Sequence, residues 1–242
     1  MKLLANFFGN AAYYYHSKGN LSAAEQNYVK MMKWGKPDPK LEGTYGVLLL
    51  KRGEFAKALE RFNGALEGKK AKGQLRNLIR MNRAIAYFRL GDTEKAITAL
   101  EDLHQNFKSI RVYQTLGYIY TAAGMFDKAE PYNLEAVEFE PDDPVILDNI
   151  GQMYLELGQH TKAKEYLERA YEEKHISDVC YHLGIVAEWE GQPEKALEYY
   201  REALTKNMDA LNDVTPQMLK DRISAICQTL GLPEEAPDED DD

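Results

Sequence analysis

The sequence lacks most of the residue patterns that announce a particular chemistry. It has 2 cysteines and 5 histidines among 242 residues, and it contains no His-Glu-x-x-His, Cys-x-x-Cys, Walker or Gly-x-Ser-x-Gly signature. No apolar run reaches the ~18 residues that a membrane helix requires, so no integral membrane segment is predicted in this chain. The net charge of −9 argues against nucleic acid as a partner. These absences predict a non-enzymatic, cytoplasmic protein without a cofactor or metal, in which Cys180 and Cys227 are reduced packing residues.

Glycine, in contrast, recurs at an almost constant interval. Six glycines follow one another after 34, 38, 33, 34 and 33 residues: Gly19, Gly53, Gly91, Gly124, Gly158 and Gly191. An alanine stands five residues after each of them. A small residue stands seven residues before each of them: Ala12, Gly46, Ala84, Gly117, Gly151 and Gly184. Such self-similarity is typical of a repeat protein.

Each interval predicts two helices. In one unit, four residues at i, i+3, i+4 and i+7 form a single helical stripe: Leu147, Ile150, Gly151 and Tyr154. A second stripe follows at once: Ala163, Tyr166, Leu167 and Ala170. Gly158 lies between them and supplies the left-handed backbone of a sharp turn. We expect Gly151 and Ala163 to let the two helices approach closely, with no bulky side chain between them. Pro131 fits less well, because inside a helix it removes a hydrogen bond or causes a kink.

The unit at 110–143 carries a recognisable motif. Its residues are Tyr113, Leu116, Gly117, Tyr120, Gly124, Ala129, Ala136 and Pro141, with Asn133 where a late aromatic residue is usual. Over about residues 5–207 the chain resembles the tetratricopeptide repeat family. The resemblance implies an all-α, right-handed superhelical solenoid of antiparallel helix pairs. Six repeats are predicted, at about 5–38, 39–72, 77–108, 110–143, 144–176 and 177–207. A capping helix at 208–232 and a disordered acidic tail at 233–242 follow.

In this family the first helices of the repeats line a concave groove, which is the usual ligand site. The resemblance therefore implies a scaffold or adaptor that binds an extended peptide or protein segment. Amide and hydroxyl side chains alternate with apolar ones along this groove, as an extended peptide requires. The predicted groove residues are Asn10, Thr44, Met81, Asn82, Ile85, Phe88, Arg89, Arg111, Gln114, Thr115, Tyr118, Asn149 and Gln152. The alternative is that these side chains are solvated or help to stack neighbouring repeats.

Co-chaperones of this family hold terminal carboxylates with Lys and Asn on one helix, Asn on the next, and Lys and Arg on the third. With Asn82 as the middle residue, the outer pairs are Gly43 with Val47 and Arg111 with Thr115. With Asn149 in the middle, they are Gln114 with Tyr118 and Asp178 with His182. Neither register provides this clamp, so we do not expect a chaperone tail as the ligand.

Charge divides the chain into two unequal halves. Residues 1–116 hold 20 Lys and Arg against 10 Asp and Glu, whereas residues 117–242 hold 10 against 29. The asymmetry has three interpretations: drift of surface residues, steering of an acidic partner or anionic membrane towards the N-terminal half, or self-association.

The first predicted helix is rich in apolar and aromatic residues: Leu3, Leu4, Phe7, Phe8, Tyr13, Tyr14 and Tyr15. Either these side chains pack into the first repeat, or a segment upstream covers them. They support an alternative function, a structural subunit or the soluble domain of a membrane-anchored assembly protein, which would use this aromatic end and the convex surface.

Overall fold

The computed structural model describes residues 2–67, 70–208 and 213–233. Thirteen α-helices and no β-strand occur in these ranges. The helices are α1 Lys2–Ser17, α2 Leu21–Lys33, α3 Pro39–Lys51, α4 Phe55–Leu66, α5 Gly73–Arg89, α6 Thr93–Asn106, α7 Ile110–Ala122, α8 Phe126–Phe139, α9 Pro144–Glu156, α10 His160–Glu173, α11 Ser177–Trp189, α12 Pro193–Leu204 and α13 Pro216–Leu230. The predicted all-α class is confirmed.

Local chemistry explains where the helices begin and end. Asp92 caps α6, since its side chain accepts a hydrogen bond from the backbone N–H of Lys95. Asn20 caps α2 in the same way, and Pro193 opens α12. The six recurring glycines all have φ between 66° and 84° and lie between the two helices of a pair. The predicted left-handed turns are therefore present.

Consecutive helices pack as pairs, but the close crossing differs in detail from the prediction. A Cβ on Gly184 would lie 2.3 Å from Cε1 of Tyr200, and a Cβ on Gly151 would lie 2.6 Å from Cδ2 of Leu167. The predicted close approach is present, since a Cβ on Gly151 would also lie 3.5 Å from the backbone oxygen of Ala163. The prediction that no bulky side chain stands between the helices is wrong. A large side chain from the second helix fills the space that the glycine of the first helix leaves open.

The unit at 110–143 places a polar residue at this crossing. Asn133 is fully buried against Gly117, and its amide donates to Oγ1 of Thr121, 3.4 Å away. Its Oδ1 has no hydrogen-bond partner among the described residues. Pro131 lies inside α8, as the sixth residue from the start of the helix. The helix therefore continues through a position whose backbone nitrogen cannot donate a hydrogen bond.

The last helices share one apolar core. Leu219, Ile223 and Cys227 of α13 are buried in a cluster with Cys180 of α11 and Tyr200 of α12. Both cysteines are buried and unbridged, as predicted for packing residues. Burial raises the pKa of the Cys180 thiol to about 12, so this thiol is a poor nucleophile.

The chain divides into two compact units, Met1–Val112 and Tyr113–Asp242. We call them the N-terminal unit and the C-terminal unit, and α7 spans the division between them. Residues 234–242 of the predicted acidic tail lie outside the described residues. Within those residues, no helix is both long and apolar enough to cross a membrane.

Candidate functional site

The first helices of successive repeats lie beside one another within each unit. In the N-terminal unit α1 contacts α3 and α3 contacts α5, and in the C-terminal unit α9 contacts α11. We call the face that they form the first-helix surface. It is defined by the positions two before and one after each small residue. In the N-terminal unit these residues are Asn10, Tyr13, Thr44, Val47, Asn82 and Ile85, and in the C-terminal unit they are Thr115, Tyr118, Asn149, Gln152, His182 and Ile185.

In the N-terminal unit the short polar side chains bond to their own helices. Thr44 donates to the backbone carbonyl of Lys40 at 2.8 Å, and the Asn82 amide donates to that of Leu78 at 2.9 Å. An amide has two N–H donors and an acceptor oxygen, so this bond uses only one donor of Asn82. Thr44 and Asn82 are half-buried, and Asn10 is exposed.

Apolar and basic side chains lie next to this polar row. Ile85, Phe88 and Arg89 of α5 are half-buried, and Arg111 is exposed. Met81 instead belongs to the core, so the prediction that it is an exposed groove residue is wrong. It stands three residues before Ala84, which is also fully buried, so both face the interior.

Positive charge dominates around the first two helices of this surface. Lys40 is exposed, and its Nζ lies 5.1 Å from the ring centroid of Tyr13. This is cation–π geometry, which places an ammonium group beside an aromatic face. Lys51 at the end of α3 is also exposed. The surface therefore offers apolar, amide and cationic groups together.

In the C-terminal unit the polar row holds repeats to one another. Asn149 is only 3 % exposed, and its amide donates to the backbone carbonyl of Gln114 at 2.8 Å. The amide of Gln114 in turn donates to both carboxylate oxygens of Asp143, at 2.9 and 3.0 Å. The prediction of an exposed Asn149 is wrong, and the alternative that such residues stack neighbouring repeats describes this position.

A buried ionisable pair lies on the same surface. Nδ1 of His182 on α11 is 2.8 Å from Oδ1 of Asp148 on α9, and both residues are buried. Burial alone would lower the pKa of His182, but the carboxylates of Asp148, Asp178 and Asp213 raise it, and the net direction is upward. The predicted groove residues include neither His182 nor Asp148. The two residues are 34 positions apart, one repeat, so the repeat interval carried a signal for this pair.

Tyr118 is engaged by the chain itself. Its hydroxyl donates a hydrogen bond to Oδ1 of Asp213, which lies in the connection between α12 and α13. The next residue, Val214, is buried in the core cluster of the last helices. Thr115 and Gln152 are half-buried. Asp213 thus contacts part of the first-helix surface of the C-terminal unit.

Across residues 2–67, 70–208 and 213–233, no group of three or more His, Cys, Asp or Glu side chains is arranged to hold a metal ion.

Comparison with known proteins links this architecture to a family. Family models described as tetratricopeptide repeat match residues 46–108, 110–143, 145–174 and 177–210. The TPR repeat-containing protein YpiA of Bacillus subtilis is 25% identical over 201 residues, which cover 67% of this chain and 46% of that protein. The chain therefore spans less than half the length of this relative.

Two solved structures show the same fold. A thermophilic TPR protein of Thermus thermophilus superimposes with a TM-score of 0.66 at 19% identity, covering 78% of this chain and 99% of that one. The Cut9–Hcn1 hetero-tetramer of APC/C gives a TM-score of 0.67 at 14% identity, covering 92% of this chain and 42% of the matched chain.

Proposed function

Since the chain belongs to the tetratricopeptide repeat family, we propose that it is a non-enzymatic scaffold that binds an extended, acidic segment of a partner protein on the first-helix surface of its N-terminal unit. The observation that carries the proposal is the combination of half-buried Asn82 and Ile85 with the exposed cations Lys40 and Lys51. An extended peptide needs hydrogen-bond donors for its backbone and apolar contacts for its side chains. The cations add complementarity to carboxylates.

Three further observations support this function. The N-terminal unit has an excess of ten positive charges, since it contains 20 Lys and Arg against 10 Asp and Glu. The matched Cut9–Hcn1 structure is a hetero-tetramer, so a chain of this fold serves as an assembly component there. The buried, unbridged cysteines support work in a reducing compartment such as the cytoplasm.

The mechanism that we propose is presentation by a preformed surface. Rigid helix pairs hold the contact groups in place before the ligand arrives. The ligand therefore accounts for most of the conformational entropy that is lost on binding. In the C-terminal unit the side chains of the equivalent surface already bond within the protein. Asn149 and His182 bond to neighbouring repeats, and Tyr118 bonds to Asp213. The N-terminal unit is therefore our choice for the binding site.

The test uses peptides selected from a random display library against the whole chain. We expect the selected peptides to be rich in Asp and Glu. Replacing Asn82 and Ile85 together by alanine should weaken their binding by about tenfold or more, which corresponds to about 1.4 kcal/mol. Fluorescence anisotropy in low and high salt measures the affinity, which should fall as the Debye length shrinks.

Gln152→Ala is the matched control, because Gln152 occupies in the C-terminal unit the position that Ile85 occupies in the N-terminal unit. It should leave the affinity within about twofold, the range expected of a side chain outside the contact. Peptides without acidic enrichment, or an unchanged affinity of the Asn82 and Ile85 double variant, would contradict the proposal.

A further inference from the structure

The first helix exposes a face that the other repeats bury. Position five before the small residue is Phe7 in the first repeat, and its counterparts are Leu41, Ile79, Val112, Ile146 and Val179. These five are at most 6 % exposed, whereas Phe7 is 65 % exposed. Position two after the small residue repeats the contrast. Tyr14 is 58 % exposed, and its counterparts, from Leu48 in the second repeat to Val186 in the sixth, are at most 2 % exposed.

The contacts show what normally covers this face. The side chain of Leu41 on α3 lies against Gly9 of α1, where an added Cβ would be 2.7 Å from its Cδ1. Ile79 on α5 lies against Gly43 of α3 in the same way, at 3.1 Å. These positions therefore face the preceding repeat. On α1 the corresponding face is exposed among the described residues, and Leu3, Phe7 and Tyr14 form an apolar stripe there. We call this the α1 stripe.

The exposed side of the last helix has a different composition. The outward side of α13 carries Gln217, Lys220, Asp221 and Gln228, all exposed and polar. A polar outer face is what keeps a terminal repeat soluble. The α1 stripe, with Leu3 87 % exposed, has the composition of a buried face, and a contiguous exposed patch of this kind marks an interaction site.

Charge and aromatic content define the occupant of the α1 stripe. No acidic residue occurs before Glu25, whereas six lysines occur within the first 40 residues: Lys2, Lys18, Lys30, Lys33, Lys36 and Lys40. Lys2 stands on α1 itself, next to Leu3 of the α1 stripe. Two facing α1 stripes would bring basic groups together, because α1 carries Lys2 and no acidic residue. An occupant that carries carboxylates together with residues suited to aromatic surfaces is the complement.

The C-terminal segment of this chain has that chemistry. Residues 233–242 contain seven acidic residues and two prolines, and they follow Leu232, an exposed apolar residue. Proline-containing extended segments dock on aromatic surfaces. Ten residues extended at up to 3.3 Å each reach about 33 Å. The 16 residues of α1 span about 24 Å, so the segment is long enough to follow the whole stripe.

We propose that the α1 stripe of one copy binds the acidic C-terminal segment, residues 233–242, of a second copy. The contact is heterologous, because the two copies contribute different surfaces, so it links copies head to tail into rings or open chains. It uses a different surface from the proposed peptide site and does not depend on that function.

Sedimentation velocity of the full chain, from about 1 to about 100 μM at low salt, tests the proposal, since this range covers weak association. The wild-type mass should rise with concentration. Two variants should each remain monomeric: Phe7→Gln with Tyr14→Gln, which removes the stripe, and a chain that ends at Pro233. Leu134→Gln, which alters an exposed leucine on α8, is the matched control and should associate like the wild type.

Mixing the two defective variants gives the sharpest result. The stripe variant keeps its tail and the truncated variant keeps its stripe, so an equimolar mixture should form dimers and nothing larger. A wild-type chain that stays monomeric at every concentration overturns the proposal, and so does a mixture that fails to dimerise. Equal binding of the wild-type and truncated chains to anionic vesicles, without self-association, would also overturn it, because a membrane surface would then be the occupant of the stripe.

Discussion

At the position two residues before the small residue, the N-terminal unit has Asn10, Thr44 and Asn82, whereas the C-terminal unit has Thr115, Asn149 and His182. In the N-terminal unit, Thr44 and Asn82 bond to backbone carbonyls of their own helices and remain half-buried. In the C-terminal unit, Asn149 and His182 are buried and bond to the neighbouring repeat. The same position of the repeat is therefore part of an accessible surface in the N-terminal unit and part of a buried contact between repeats in the C-terminal unit.

Polar character at a groove position therefore does not by itself indicate a ligand site. A short amide satisfied by its own helix leaves the surface accessible. The same amide, turned towards the next repeat, becomes part of the packing, and its loss then carries the penalty of an unsatisfied buried group. Substitutions at matched positions in the two units therefore separate these roles.

The largest effect is expected for His182→Leu. The substitution leaves the Asp148 carboxylate buried without its partner, which should destabilise the protein by about 3–5 kcal/mol. Thr44→Leu changes the corresponding position in the N-terminal unit and should stay within about 0.5 kcal/mol, because Thr44 bonds only within its helix in the described contacts. Chemical unfolding followed by circular dichroism measures both. Equal losses for the two variants would remove the distinction between the units.

Asn149→Ala should have the next largest effect, a loss of about 1–1.5 kcal/mol, because it removes a buried hydrogen bond that joins two neighbouring repeats. Asn82→Ala, the matched change in the N-terminal unit, should cost less than about 0.5 kcal/mol, since alanine is also a better helix former. Thermal unfolding of both variants compares them. A larger loss for Asn82→Ala would show that the assignment of the two units is reversed.

The buried histidine should also make the stability of the protein depend on pH. The pKa of His182 is raised on folding, against the lowering effect of burial, by the carboxylates of Asp148, Asp178 and Asp213. A raised pKa means that the folded state holds the proton more tightly, so the stabilisation is complete below the unfolded pKa of about 6.5 and is lost as pH rises through the folded value.

We therefore expect the difference in unfolding free energy between the wild type and His182→Gln to shrink from pH 6 towards alkaline pH. The measurement is chemical unfolding of both proteins across that range. A difference that grows with rising pH would mean that the histidine is held in its neutral form.

The repeat architecture could be predicted from sequence because it depends on local backbone requirements. A glycine with positive φ, an N-cap such as Asp92 and a proline such as Pro193 each act within one turn of chain, and the helices begin and end accordingly. Pro131 departs from this pattern. The helix α8 passes through it, so packing of the surrounding residues outweighs the local preference.

The candidate site was harder to predict, because exposure depends on residues from other repeats. The burial of Asn149 follows from Gln114, 35 residues earlier, and that of His182 from Asp148, 34 residues earlier. Comparison of positions one repeat apart could have suggested these pairs. The contact of Tyr118 with Asp213 spans 95 residues and involves a connection outside the repeat pattern, so the periodicity of the sequence does not predict it.

The smallest effect is expected for Asp213→Ala, which removes the acceptor of the Tyr118 hydroxyl. The loss of one partly exposed hydrogen bond should cost about 1 kcal/mol. The substitution should also make the ring of Tyr118 more accessible to reagents in solution. Nitration of Tyr118 by tetranitromethane, followed by peptide mass spectrometry, should become faster in the variant, while that of Tyr13, already 44 % exposed, stays the same. A faster reaction at Tyr118 would show that its own chain covers this part of the C-terminal unit. An unchanged rate would mean that the connection into α13 leaves the ring accessible, and the contrast between the two first-helix surfaces would then rest on Asn149 and His182 alone.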